Sequence, residues 1–205
     1  MKKQLFSAFT LALLLGNGLT SAQEISKRLE DKNGQPYFIQ FSENSVDKRS
    51  VDDQKLLKDV LGLREGSEMK KIETGKLFSK FSDDKYQLYY QNIKVEFATY
   101  SLHYTDGKLT SMSGEMYNTE DLDTTTKISE ATALNKAVKG LGVEKLMEGT
   151  DEVRGTSYSN PKGELVFLPV LMDDDSYRLV LAYKFDIYSE LPLKRSHMYI
   201  DANTG

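Results

Sequence analysis

The sequence predicts an α+β protein built as two small modules, each a helix packed on an antiparallel β-sheet. Three observations carry this. Tyr177, Leu179, Leu181, Tyr183, Phe185 and Ile187 are apolar at every second position, the period of a strand with one buried face. The stretches Leu56–Leu61 and Leu134–Leu141 instead space their apolar residues three and four apart, the period of a helix. The order of helix then strands occurs twice, although no stretch of sequence repeats, and the polar stretch 118–127 with Thr124-Thr125-Thr126 lies between the two occurrences.

The chain opens with Met1-Lys2-Lys3, an uncharged apolar run from Leu5 to Leu15, and the small residues Thr20-Ser21-Ala22 before Gln23. This is the pattern of a secretory signal peptide cut between Ala22 and Gln23. Gly16, Asn17 and Gly18 interrupt the run short of the about 20 residues needed to span a bilayer, so a secreted protein without a stable membrane anchor is expected. Residues 23–45 form an N-terminal segment, polar apart from Tyr37–Phe41 and turning at Asn33-Gly34-Gln35-Pro36.

The first module covers 46–117. Ser50-Val51-Asp52-Asp53 reads as a helix start, with Ser50 as cap and two aspartates beside the positive helix end. Leu56, Leu57, Val60 and Leu61 share one face, and Gly62 ends the helix. A meander follows. Tyr86, Leu88 and Tyr90 share a strand face, Gln91-Asn92 turns, and Ile93, Val95 and Phe97 share a face on the way back. Apolar parity then switches to Tyr100, Leu102 and Tyr104, which predicts a bulge near Ala98-Thr99. Asp106-Gly107 is a hairpin turn. Asp83-Asp84 is read as a turn.

The second module covers 128–205, after the linker 118–127. Ser129 caps a helix that turns Leu134, Ala137, Val138 and Leu141 inward and ends at Gly140 and Gly142. Strands are expected at Glu152–Tyr158, Leu165–Val170, Tyr177–Ile187 and Ser196–Asp201, with turns at Asn160–Gly163 and Asp173–Ser176. Asp201–Gly205 is a turn of the kind that leads into another strand. The natural polypeptide is therefore expected to continue and the second module to be truncated at its C-terminal end.

Catalytic chemistry finds little support. With no cysteine, thiolate nucleophiles, disulfides and thiolate metal sites are excluded. His103 and His197 are the two histidines, far apart and without the spacing of a helical HExxH zinc site; no GxSxG elbow accompanies them. Asp173-Asp174-Asp175 lacks the glycine and closing glutamate of a calcium loop. The 12 tyrosines lie mostly at strand positions and read as sheet residues. A net charge of −4 with dispersed lysines gives no nucleic-acid footprint. Neither catalytic nor metal-binding residues are expected in this chain.

The segment "EMKKIETGKLFSKFSDDKYQLYYQNIKVEFATYSLHYTDGKLTSMSGEMY" resembles the propeptide domain ahead of fungalysin- and thermolysin-type metallopeptidases, through Tyr89-Tyr90, Asn92, Val95-Glu96, Tyr100 and Gly107-Lys108. It departs from that pattern in Ile93, where a turn glycine is usual, and in Phe97-Ala98, where the family often has Gly-Gly. The second half is similar to the PepSY domain that follows in such precursors, in "ISEATALNKAVKGLG", "NPKGELVFLPV" and the strand bearing Tyr183, Phe185 and Asp186.

The resemblance implies a PepSY/cystatin-like second module and a non-catalytic proregion, chaperone and inhibitor of a zinc metalloendopeptidase domain attached in cis. Zinc, with calcium as an option, is then expected in the downstream peptidase and no cofactor here. A free-standing secreted inhibitor or protein-binding module of the same fold is the alternative. The outward positions Arg178, Lys184, Asp186 and Tyr188 are the candidate partner contacts.

Overall fold

Helix starts and tight turns punctuate the chain where short polar side chains satisfy free backbone groups. The computed structural model describes residues 24–42, 52–78, 80–152 and 155–205; the expected signal peptide, its expected cut between Ala22 and Gln23, and Ser50 lie outside them. The first helix, α1 (Asp53–Leu61), is capped by Asp52, whose carboxylate accepts from the amides of Gln54 and Lys55. The cap expected at Ser50 thus belongs to Asp52, adjacent to the first helical residue. Gly62 at φ 65° ends the helix. The second helix, α2 (Glu130–Gly140), has Ser129 accepting from the Thr132 amide.

Among the described residues, twelve strands follow as β1 (Ile25–Glu30), β2 (Pro36–Phe41), β3 (Ser67–Phe78), β4 (Phe81–Tyr90), β5 (Ile93–Thr105), β6 (Lys108–Gly114), β7 (Lys145–Leu146), β8 (Thr150–Asp151), β9 (Thr156–Ser157), β10 (Glu164–Leu171), β11 (Tyr177–Leu191) and β12 (Lys194–Asp201). The fold is mixed α+β, as the periodicities require. Ten strands form one sheet with the path β1-β2-β6-β5-β10-β11-β12, with β3 and β4 joined through β5 and β7 on β11. The two antiparallel sheets expected from sequence are therefore sections of one sheet. A short parallel pairing joins them, with Val166 opposite Lys94 and Phe167 opposite Val95.

Each helix nevertheless covers its own section. Leu57 and Leu61 of α1 enter the larger hydrophobic cluster with Met69, Leu88 and Leu102, and Tyr86 and Tyr104 donate from the sheet to Asp53 at the helix start. Ala133 and Ala137 of α2 pack with Phe185 and Ile187 of β11. The larger cluster also takes in Phe167, Leu181 and Ala202 from the second half, so burial crosses the junction together with the backbone bonds.

Several local expectations change. The segment 24–35 contains β1, hidden in the sequence by Lys27, Arg28 and Glu30, because it is an edge strand exposed on most of its residues. Asp83 and Asp84 are strand residues of β4 rather than a turn; Asp84 is fully buried and pairs with Lys71 Nζ at 2.9 Å. Glu152–Tyr158, expected as one strand, contains β9, which pairs with β8 in a two-stranded ladder. Two residues per strand are too few to leave a periodic signal. Tyr177 begins the β11 alternation but is 45% exposed, whereas Phe185 and Ile187 are buried, because α2 reaches only the latter part of the strand.

Candidate partner-binding face

The meander of β4, β5 and β6 is shaped by three backbone devices. Gln91 and Asn92 both have positive φ, 47° and 65°, the geometry that suits a two-residue hairpin to the strand twist. Asn92 closes the turn, and Ile93, where a turn glycine is usual, is already the first residue of β5. Asp106 and Gly107 repeat the arrangement at 50° and 76°. Between these turns β5 bulges: Gln87 stands opposite Thr99 and Tyr89 opposite Lys94, so Val95–Ala98 faces a single residue of β4. The irregularity is larger than expected and begins before Ala98-Thr99.

Phe97 lies at φ 64° within the bulge and is 56% exposed, while Val95 and Ala98 are buried. The left-handed residue turns the side chain out, so Phe97 leaves the face on which alternation placed it. The buried amide of Gln87 closes the bulge from beneath, donating to the carbonyls of Val95 at 2.6 Å, Ala98 at 2.9 Å and Leu88 at 3.2 Å. Irregular backbone inside a core needs such partners.

Beside Phe97, Glu96 is buried, and its Oε1 accepts from Lys94 Nζ and from Lys184 Nζ, both at 2.9 Å. Burial alone would push the Glu96 carboxyl up, but the hydrogen bonds from Lys184 and Lys94 outweigh it and hold the group below its usual range. Lys184 behaves reciprocally: burial would lower it, and the bond and charge of Glu96 hold it raised. Its ammonium also lies 5.7 Å from the Tyr199 ring centroid. The bulge of β5 is thus ionically fastened to β11.

Farther along the same face of β11, Asp186 takes a two-pronged contact from Arg195, Nε at 2.9 Å and Nη2 at 2.7 Å. The Arg195 guanidinium also lies over Tyr188 and Tyr158, which meet edge to face at 5.3 Å. An open groove of about 310 Å³ runs here between Tyr158, Pro161 and Lys162 on one side and Lys184, Asp186 and His197 on the other.

Of the four contact candidates, Lys184, Asp186 and Tyr188 share this face. Arg178 is exposed toward the β10–β11 turn, opposite Val170. Tyr183 and Phe185 are on the opposite face and stack at 6.3 Å. Arg195 and Tyr158 were missed in the sequence, since their role depends on cross-strand register and on a loop.

The remaining motif positions are structural parts of this frame. Tyr89 carries Lys70 over its ring at 4.5 Å, Tyr90 meets Phe167 edge-on at 5.9 Å, and buried Tyr100 donates to the Pro36 carbonyl. The whole unit from Asp84 through the bulge to Met116 is one continuous meander. Residues 84–116 match the Fungalysin/Thermolysin Propeptide Motif. The motif therefore contains the Gln91-Asn92 turn, the bulge and Glu96, and its neighbour across the ionic contact is β11.

Among solved structures, the chain is similar to the Bacillus megaterium YpeB C-terminal domain at 16% identity and TM-score 0.36, over 84% of this chain and 70% of that one. No curated protein matches.

Outside this face, His103 Nε2 lies 2.8 Å from Ser113 Oγ, with Asp83 opposite it on β4. Burial lowers the imidazole pKa more than the Asp83 charge raises it. Asp174 accepts from the amide and hydroxyl of Ser176 in its turn. Among the described residues no group of three or more His, Cys, Asp or Glu gathers to hold a metal ion, and no helix is long and apolar enough to cross a membrane.

Proposed function

We propose that this chain is the proregion of a secreted zinc metalloendopeptidase, acting as intramolecular chaperone and inhibitor of a catalytic domain joined to it. The observation that carries the reading is the propeptide-motif match at 84–116, on a meander whose turns, bulge and ion pair are fixed by internal bonds. Such a role needs a preformed surface. A rigid face that binds the native peptidase better than its unfolded chain stabilises the native form by mass action, and one that covers the half-formed domain suppresses its slow, aggregation-exposed folding steps. Attachment in cis keeps the effective concentration high until the connection is cut.

On this reading residues 1–22 are the secretory signal peptide and the second half is a PepSY-like module. The outer face of β11 and β12, with Lys184, Asp186 and Tyr188, forms part of the contact. The catalytic zinc belongs to the peptidase domain. The test is refolding of a denatured thermolysin-type peptidase with and without the purified chain. The expected result is a higher yield of native peptidase whose activity stays suppressed until the chain is digested. Equal yields together with undiminished activity of the native enzyme would overturn the proposal.

A further inference from the structure

Among the described residues, β1, β3 and β12 each pair on one side only. A free strand edge is a template for another chain, and proteins blunt such edges with irregularities. β1 and β3 follow that rule, each shifting register twice against its neighbour. β12 does not: its pairing with β11 runs unbroken from Lys194 opposite Ser189 to Asp201 opposite Ala182. Its leading cations are drawn off the edge, Lys194 onto the Leu141 carbonyl and Arg195 onto Asp186. Just past the strand the Ala202 amide donates to the Leu181 carbonyl, which fixes the phase of the ladder. The even-numbered residues of β12 bond β11, and the amides and carbonyls of Arg195, His197, Tyr199 and Asp201 point away from it. Gly205 already donates to the Asp201 carbonyl, so the open stretch is Arg195–Tyr199.

We infer that this edge receives an extended, acidic segment of a protein partner as an added strand, the partner on the proregion reading above being the peptidase domain. The chemistry of the occupant follows from what borders the edge. On the α2 side, Lys136 donates to the Gly205 carbonyl and Lys194 to the Leu141 carbonyl. Both ammonium groups are thus positioned by neutral oxygens and keep their charge, one near the Asp201 end and one at the start of the strand. Between these ends lies Met198, beside Gly140, where an added β-carbon would meet only the Met198 methyl at 3.8 Å. A strand with a large apolar residue facing Met198 and carboxylates flanking it on the same face would meet all three. Backbone pairing then supplies affinity and the alternate side chains supply specificity. A second copy of the chain is disfavoured. A two-fold axis would bring the Lys136 end of one edge against the Lys194 end of the other, while the Asp201 carboxylate is engaged by the amides of Asn203 and Thr204.

The probe is a short acetylated peptide in which Glu, Leu and Glu alternate with threonines, titrated into the full chain as wild type, His197→Pro and Lys136→Glu. Proline at an outward edge position removes a donor that β11 does not use, so the ladder is kept, and circular dichroism checks the fold. The inference expects wild-type binding, a loss of about tenfold in His197→Pro, and the same loss on wild type for a peptide methylated at its edge-facing amides. Lys136→Glu should weaken binding about fivefold, and a peptide with one Glu replaced by Lys should recover it. No binding by wild type, or binding that survives both the proline and the methylation, would overturn the edge. Inhibition of a thermolysin-type peptidase by the same proteins separates the two readings. Equal inhibition by wild type and His197→Pro would overturn the edge and leave the proregion reading intact. No inhibition by wild type would overturn the proregion reading, and the peptide would still decide the edge. A dimer of the chain alone that sediments in wild type and is lost in His197→Pro would put a second copy on β12 and overturn the inference.

Discussion

Glu96 of the β5 bulge and Lys184 of β11 are 2.9 Å apart across the junction between the two halves of the chain, and both side chains are largely removed from solvent. Replacing one partner strands the other in a poorly hydrated site. The cycle Glu96→Gln, Lys184→Met and the double variant should show a coupling of about 0.5–3 kcal/mol, read from urea unfolding midpoints. Because the folded Glu96 is depressed, its contribution is present above the ordinary carboxylate range and is lost as pH falls through its lowered value. Wild type should therefore lose more stability on acidification than Glu96→Gln does.

Gln87 supports the bulge with a single amide shared among three carbonyls. Truncation to Ala would leave buried carbonyls unsatisfied and should cost about 1–3 kcal/mol. Hydrogen exchange at 94–99 should rise more than exchange in α2, because the damage is local to the bulge. Equal acceleration in both places would show that the side chain does not act through the bulge.

Gly114 lies opposite Tyr100 on β5, and a β-carbon there would sit 2.1 Å from the Thr99 carbonyl oxygen and 2.6 Å from the Tyr100 α-carbon. Those neighbours are backbone and cannot rotate away. Gly114→Ala should lower stability by about 3 kcal/mol, the upper end for overpacking, and thermal denaturation would reveal it. Gly107→Ala, with nothing within 4 Å of the new carbon but a φ of +76°, should be milder, at about 1 kcal/mol.

His103 carries a pH dependence of definite sign. Its folded-state pKa lies below the ordinary value of 6.5, chiefly through burial and against the pull of Asp83. The neutral ring is the form the fold prefers, so its contribution is complete above the unfolded value and is lost as pH falls through the folded one. The thermal midpoint should rise from about pH 5 to pH 7, and His103→Gln should flatten that rise while leaving the lower-pH loss associated with Glu96. A rise that survives His103→Gln would assign it elsewhere.

What the sequence made legible follows from which forces are local. Turn conformations at Gln91-Asn92 and Asp106-Gly107 depend on two residues at a time, and the buried stripe of α2 depends on one helix; all three were readable. The centre of β11 was readable because its apolar face is covered by a helix or the core. β1 was hidden because its residues are mostly exposed and charged. The position of Phe97 was misjudged because one left-handed residue overrides alternation. Glu96 stood out only as a motif position: its partner is 88 residues away, and charge pairing over that distance leaves no periodic trace. The parallel contact of β5 with β10 was equally unreadable, since two residue pairs of one register are all that define it.

That contact has a consequence for a nicked molecule. Residues 115–129 contain no helix or strand, so a protease that severs this connection interrupts no ladder of the sheet. The fragments on either side would stay zipped together by the backbone bonds at Lys94–Val95 and Val166–Phe167 and by the Tyr90–Phe167 ring contact. They would travel through a sizing column as one particle and come apart only in denaturant.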